Sequence, residues 1–430
     1  MENPLDFSYY QTREFTASLC GQELQVISKP GLPHWDEVTP AVQLLAEVVS
    51  LRKGGQVMLL GCGNGSLGVA LTRQGRADSL RMVDTNWIAL RVAKLTMAAN
   101  GYAHVTVEPL QYPFPAEIYQ TIVINLPKGR KLARRWLVEA WGALLPGSEL
   151  YLAGANPDGI QSVIRDAGTL FGNATVLAYR KGCRVARMVK QSEPGTDPDR
   201  TPRAGAPGPE VASAPDPEVA HGPEVAWAHG PEVAWAAEPG IARGSWIEFA
   251  ALVCGETFVL RSLPGVFSFD RLDEGTALLL QQLTREWVQG RRILDFGCGY
   301  GLIGMAAARL GAAWVDLLDV DLSAVAAAQE NCLRIQILNA QARPSDVLDA
   351  IGPERYDLIL SNPPFHAGKQ VEYRMAQTFI AHSRHVLNPG GRLVLVANRF
   401  IRYDRLMREV FGNVEGLAET GKFHVLESVR

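Results

Sequence analysis

Leu60-Gly61-Cys62-Gly63-Asn64-Gly65-Ser66-Leu67-Gly68 returns later in the chain as Phe296-Gly297-Cys298-Gly299-Tyr300-Gly301-Leu302-Ile303-Gly304, with every glycine of the first stretch answered by one in the second. Each stretch closes an apolar run and opens a helical one, so the repeat marks a duplicated strand-to-helix turn. The duplication extends outward on both sides. Glu14-Phe15-Thr16-Ala17-Ser18-Leu19-Cys20-Gly21 is matched by Glu248-Phe249-Ala250-Ala251-Leu252-Val253-Cys254-Gly255, and Lys29-Pro30-Gly31 by Leu263-Pro264-Gly265. Both read as a β-hairpin with a Cys-Gly turn, followed by a helix over Ala41–Leu51 or Gly275–Val288. In the second copy the pattern predicts strands at Arg292–Phe296, Trp314–Val320, Tyr356–Leu360 and Gly391–Ala397. Helices are expected between them at Gly304–Leu310, Ser323–Leu333 and near Met375–Val386. This alternation predicts an α/β fold with a doubly wound sheet, whose ligand lies at the carboxyl ends of the strands.

At 430 residues the chain has room for two or three domains with real cores. The expected division is 1–190, a Pro/Ala/Glu-rich linker over 191–240, and 241–430. Within the linker Pro-Glu-Val-Ala occurs four times, from Pro209, Pro217, Pro223 and Pro231. Without a helical or strand period it reads as extended and disordered, with Trp227 and Trp235 as partner-docking residues or mere decoration. Nine acids against Arg200 and Arg203 leave −7 in the linker, and therefore +4 on the remainder of a chain whose total is −3. Mild positive charge is compatible with a nucleic-acid partner. The six cysteines form no CxxC pair, and Cys20/Cys254 and Cys62/Cys298 are duplicate positions, which explains them better than disulfides or a metal. No apolar run approaches the ~20 residues of a membrane span, and Met1-Glu2-Asn3-Pro4-Leu5-Asp6 lacks signal-peptide character, so a cytoplasmic protein is expected.

A glycine loop alone is also the form of an ordinary tight turn. Here Asp295 precedes it, Gly297, Gly299 and Gly301 let backbone approach a ligand with no Cβ in the way, and Asp319 ends the next strand. With Cys298 inside the loop, these residues predict a site for a nucleoside-bearing cofactor, Asp319 accepting both ribose hydroxyls. An NAD site usually has GxGxxG and sets its pyrophosphate at the helix amino terminus. The acidic start DxGCGxG is instead similar to S-adenosylmethionine enzymes, where the acid lies near the methionine portion. The second signal is Ser361-Asn362-Pro363-Pro364-Phe365-His366, directly after the apolar run Asp357-Leu358-Ile359-Leu360. Pro-Pro also simply ends strands, and an aromatic after it also packs. At the end of the fourth strand, however, the Asn362 side-chain oxygen and the Pro363 carbonyl can accept hydrogen bonds from a planar exocyclic amine. Pro364 stiffens that loop, and Phe365 offers a π face to a base.

On these residues the second half resembles the ribosomal RNA guanine-N2 methyltransferases of the RsmC/RlmG type. The likeness also runs through Pro264-Gly265-Val266-Phe267-Ser268, Asp273-Glu274-Gly275-Thr276, Val396-Ala397-Asn398-Arg399-Phe400 and Thr420-Gly421-Lys422-Phe423-His424-Val425. The two-copy layout with a degenerate first domain resembles that family too. The resemblance implies two tandem Rossmann-like class I methyltransferase domains and S-adenosyl-L-methionine as cofactor. Asp319 is then expected on the ribose, Asp346 on the adenine amine and Asp295 near the methionine end. Asn362 borders both cofactor and acceptor, with Pro363, Pro364 and Phe365. The implied reaction is methylation of a guanine N2 amine, in small-subunit 16S rRNA, on a base unpaired or flipped onto Phe365. Alternatives are large-subunit rRNA, an adenine N6 or protein glutamine acceptor, and a non-enzymatic RNA-binding assembly factor. The implied partner is ribosomal RNA or a ribosomal subunit, with no membrane, and the expected state is a monomer.

The first half departs from the second where chemistry is expected. Leu59 replaces the acid equivalent to Asp295, Leu126 replaces a proline, and Lys128 stands in the position of Phe365. Lys128, Arg130, Lys131, Arg134 and Arg135 follow one another there, and Arg180, Lys181, Arg184, Arg187 and Lys190 form a second cluster. Charge runs are usually solvated faces. The first cluster, where a stacking aromatic is replaced by cations, is expected to bind rRNA phosphates.

Overall fold

The computed structural model describes residues 7–191, 233–363 and 370–430. Cys20 and Gly21 turn the first hairpin with φ of 51° and 73°, and Cys254 and Gly255 the second with 51° and 80°. Left-handed conformation at both positions gives the two-residue turn whose twist matches paired strands. The hairpins are β1 (Arg13–Leu19) with β2 (Gln22–Ser28), and further on β10 (Ile247–Val253) with β11 (Glu256–Ser262).

The remainder of the first half is α1 (Pro40–Val48), β3 (Gly55–Leu60), α2 (Ser66–Arg73), β4 (Ala77–Asp84), α3 (Trp87–Ala99), β5 (Thr106–Pro109) and β6 (Tyr119–Asn125). Then come α4 (Arg130–Ala143), β7 (Leu144–Ala155), α5 (Ile160–Phe171), β8 (Thr175–Arg180) and β9 (Cys183–Val189). The second half repeats this after β11 with α6 (Glu274–Leu280), α7 (Arg285–Val288), β12 (Arg292–Phe296), α8 (Leu302–Arg309), β13 (Trp314–Asp319) and α9 (Leu322–Arg334). It continues with β14 (Ala340–Pro344), β15 (Tyr356–Ser361), α10 (Gln370–Val386), β16 (Leu387–Asn398), α11 (Tyr403–Phe411), β17 (Glu415–Glu419) and β18 (Phe423–Val429). The sheets are ordered β5-β4-β3-β6-β7-β9-β8 and β14-β13-β12-β15-β16-β18-β17. Six strands of each run in one direction and one, β9 or β18, is reversed and pairs antiparallel with both its neighbours, so two tandem Rossmann-like domains are present. The single helix expected over Gly275–Val288 is two, because Thr284 is extended and ends the run between them.

The halves are joined by more than sequence. Asn86 and Asp321, each just past the second parallel strand, form an antiparallel bridge in which Trp87 donates to Val320 O at 2.9 Å and Leu322 to Thr85 O at 2.7 Å. Each half also lends an arm to the other. Tyr9, in a 3₁₀ turn before β1, is buried in the second half's core among Leu348, Tyr356 and Phe379. Ile241, before β10, is buried in the first half's core, with Trp235 packed beside it. The disordered linker expected as far as Gly240 is thus corrected at its end: residues 233–240 include a 3₁₀ turn (Ala234–Ala237) laid on α4, where the Arg134 guanidinium sits 4.8 Å from the Trp235 ring. An indole with an apolar surface to cover does not stay in water. The rest of the repeats, Trp227 included, lies outside the described residues.

Candidate active site

Gly297, Gly299 and Gly301 leave β12 with φ of 68°, 54° and 91°, which only glycine adopts without strain. A Cβ on Gly301 would stand 3.0 Å from Ala328, and one on Gly304 would stand 2.8 Å from Leu317, so the loop packs close on α9 and β13. Asp319 holds it from the neighbouring strand: its carboxylate accepts from the N–H of Gly299 and of Asp321, each at 2.9 Å. A carboxylate has about four acceptor sites, so two remain for ribose hydroxyls. Asp295 is fully buried, and one of its oxygens accepts the Gly304 N–H at 2.8 Å. Its other oxygen has no partner among the described residues, and burial pushes its pKa up to about 7. An orphaned carboxylate oxygen behind a glycine cradle, with an acid on the next strand, fits a nucleoside cofactor whose polar end completes the shell. Cys298 belongs to this loop through its backbone; its side chain is buried in the core.

Asp346 has partners across the interface as well: its carboxylate accepts from the Tyr9 hydroxyl at 2.9 Å and forms a buried ion pair with Lys29, both of the first half. An ammonium is a strong partner for a buried carboxylate.

At the acceptor end, Asn362 follows β15, and its amide nitrogen donates to Asp273 at 3.0 Å and to the Thr276 hydroxyl at 2.8 Å. A carboxylate accepts only, so this pairing fixes which way the amide faces and leaves its oxygen as the outward acceptor. Asp273 also caps α6 by accepting the Thr276 N–H at 2.9 Å. Neither Asp273 nor Thr276 was singled out for this task from sequence, although a capping acid three residues before a threonine was legible in Asp273-Glu274-Gly275-Thr276. Pro363 is buried beside Asn362. Pro364 and Phe365 lie outside the described residues.

The basic cluster of the first half does not form one RNA-facing surface. Arg135 is 1% exposed: its guanidinium donates to the carbonyls of Gly240 and Ser245, both at 2.6 Å, and lies 3.7 Å from the buried Glu139. It pins the second half's arm and cannot meet phosphate. Arg130 and Arg134 both grip Asp166, at 2.7 and 2.9 Å, and Lys131 faces Asp270 of the second half at 3.8 Å. Lys128 precedes α4 and is paired too.

Set beside known proteins, the chain matches the methyltransferase small domain model twice, over residues 23–187 and 257–427. A ribosomal RNA small subunit methyltransferase C of Stutzerimonas stutzeri is 31% identical over 346 residues, covering 80% of this chain and 88% of the relative. The chain belongs to this methyltransferase family. Another member, from Hahella chejuensis, is 44% identical over 177 residues, 41% of this chain and 50% of that protein. Among solved structures, the T. thermophilus 16S rRNA N2 G1207 methyltransferase (RsmC), in complex with AdoMet and guanosine, superposes with a TM-score of 0.72 at 28% identity. It covers 98% of this chain and 99% of that one. The family's fold and its methyl-transfer chemistry therefore come with the chain, and S-adenosylmethionine is its cofactor.

Proposed function

We propose that this protein methylates the exocyclic N2 amine of a guanine in 16S ribosomal RNA, with Asn362 as the residue that aims the amine. The carrying observation is the locked amide: with both Nδ2 hydrogens committed to Asp273 and Thr276, only its oxygen is offered to an acceptor. S-adenosylmethionine supplies an electrophilic sulfonium methyl. Asp319 and the glycine loop would hold its nucleoside, with Asp295 behind the methionine end. The guanine amine is a poor nucleophile because its lone pair is delocalised into the ring. Hydrogen bonds from its two hydrogens to Asn362 Oδ1 and the Pro363 carbonyl turn that lone pair out of the plane. The N–C bond then forms as the S–C bond breaks, and the amine releases one proton to solvent through these acceptors. Such catalysis is positioning and electrostatics, with no strong base required.

A guanine in a duplex hides this amine, so the acceptor has to be splayed out. Two exposed rings suit that requirement: Phe267 is 59% and Phe400 65% exposed, one beside Val266 at the glycine loop and the other just past β16. Phe365 is the further stacking face assigned from sequence. The chain works as a monomer in the cytoplasm, its arm exchange already providing the interface a dimer would supply. Among the described residues no helix is long and apolar enough to cross a membrane.

Labelled S-adenosylmethionine offered with small ribosomal subunits, naked rRNA and bulk protein tests the reading by mass spectrometry. N2-methylguanine in small-subunit rRNA is expected. N6-methyladenine, methylglutamine, or cofactor binding with no transfer to rRNA would each overturn it.

A further inference from the structure

The first half carries a basic concavity of about 700 Å³ that the methyl-transfer site does not use. It lies at the amino ends of β3 and β4, the end of the sheet opposite the glycine loop. Arg52, Lys53, Arg76 and Arg187 line it, with Glu149 as the acid and Tyr151 at the wall. Glu149 offsets them only in part: it accepts the Tyr151 hydroxyl at 2.9 Å and forms looser ion pairs with Arg52 and Arg187 at 3.7 and 3.6 Å, and Arg52 also donates to Gly147 O at 3.0 Å. Arg76 reaches only the Ser50 hydroxyl among the described residues, at 3.4 Å. Four cations facing one carboxylate leave an excess of about three charges in an open groove.

The duplication provides an internal control. Gly54 donates to Arg76 O as Gly290 donates to Gly311 O, which aligns the two loops residue by residue. Arg52, Lys53 and Arg76 then fall on Val288, Gln289 and Gly311. Arg187 pairs with Tyr151 as Glu427 pairs with Val394, so the fourth cation falls on an acid. In the second half the same place is closed: Arg392 and Glu427 form a bidentate pair, and the Arg392 guanidinium lies 3.9 Å over the Trp287 ring. Glu149 and Arg187 are the same ion pair with its signs exchanged, so the charges that the common fold does not demand are Arg52, Lys53 and Arg76. They belong to the half without the acceptor asparagine's locked geometry.

We propose that this concavity is a docking site for the phosphate backbone of the RNA substrate, holding it at a distance from the methylated base. The inference rests on the reading of the protein as an rRNA methyltransferase. It also moves the RNA contact from α4, where Arg135 is buried and Arg130 and Arg134 are both hydrogen-bonded to Asp166, to the other end of the first sheet. Spread cations with few competing acids bind a chain of phosphates and release counterions, and they read no base.

The test uses the full chain and naked small-subunit rRNA in filter binding across a salt series. Replacing Arg52, Lys53 and Arg76 by Gln together should flatten the log–log salt slope by roughly 0.7–0.9 per lost phosphate contact. S-adenosylmethionine affinity should stay unchanged. The double change Arg52→Lys with Arg76→Lys should keep the slope, since charge and not shape is used. If the triple variant melts, Lys53→Gln alone, at an exposed position, should still remove about one contact's worth of slope. An unchanged slope overturns the site. Saturable binding of inorganic phosphate that the variant loses, with the RNA slope intact, also overturns it in favour of a free-anion pocket. Guanine methylation by the wild type is scored in parallel. Its absence with a flattened variant slope would sink the enzymatic reading and leave the docking site standing.

Discussion

At the end of its fourth parallel strand each half carries an asparagine, Asn362 in one and Asn125 in the other. Asn362 donates to Asp273 and Thr276. Asn125 has Thr39 and Val42 in those places, and its amide instead stretches to Gly61 O at 3.5 Å. Leu126, where Pro363 stands in the twin, packs into the space of Gly154, at which a Cβ would come within 2.7 Å of it. Trp136 lies against Gly61 and donates its indole N–H to Tyr112 at 2.8 Å. Yet the glycine loop and Asp84 persist, and Asp84 accepts from Gly63 and Asn86 at 3.0 and 2.9 Å as Asp319 does in the active half. The loop and its acid thus survive as hydrogen bonds of the fold. Among the described residues, what separates the half proposed as catalytic from its twin is the polar groups left without internal partners, Asp295 Oδ1 and Asn362 Oδ1.

The comparison can be broken most severely at the interface. Arg135→Met leaves two buried carbonyls without their donor and takes one cation from the buried Glu139, which keeps the Phe114 and Gly244 N–H groups and Arg243. It should destabilise the protein by about 3–5 kcal/mol, whereas the half-exposed Arg130→Met should cost under about 1 kcal/mol. Chemical denaturation checks both, and similar losses would contradict the buried-pin role.

Next in size, Asn362→Ala should lose roughly 2–4 kcal/mol of transition-state stabilisation with cofactor affinity intact. Near-normal turnover would remove the amide from the mechanism. The cofactor contrast comes third: Asp319→Ala should weaken S-adenosylmethionine binding by roughly 1.5–3 kcal/mol, while Asp84→Ala leaves it unchanged. Calorimetry showing equal effects would mean that the first half binds cofactor too.

A smaller effect is expected from Asp273→Asn, which sets an amide opposite the Asn362 amide and invites it to flip. Turnover should fall by about 1–2 kcal/mol, at unchanged KM for cofactor, with Thr276→Ser near wild type. A loss confined to melting temperature would make Asp273 only a helix cap. Last, Asp295 sharpens the contrast with Leu59 through pH. Its folded pKa, pushed up to about 7, lies above the unfolded carboxylate value, so its neutral form favours folding at acid pH. That contribution is lost as pH rises through about 7. Asp295→Asn should therefore flatten this part of the cofactor-free protein's stability profile, as melting curves from pH 5 to 8 would show.

Much of this was legible because it rests on period and turn chemistry. Alternating apolar runs located the strands, and the Cys-Gly pairs located both hairpins. Asp319 and Asn362 stand at strand ends, where topology gathers ligands. The interface was not legible, because Tyr9, Trp235 and Ile241 sit in short segments with no period. For the same reason the Asp346 ion pair was not legible: nothing local announces that Lys29 will arrive from the other half. Arg135 looked like one more surface cation. Its signal was its place among Leu132, Trp136 and Glu139 on one helical face, an opposite-charge pair set into an apolar stripe.

The exchanged arms bear on how the protein comes apart. Unfolding the first half withdraws Tyr9 from the other core, and unfolding the second withdraws Ile241, so neither can melt without opening a cavity in its neighbour. The covalent link between residues 191 and 233 is then not what keeps the halves together. A protease cut there would leave two chains still clasped, each wearing a piece of the other.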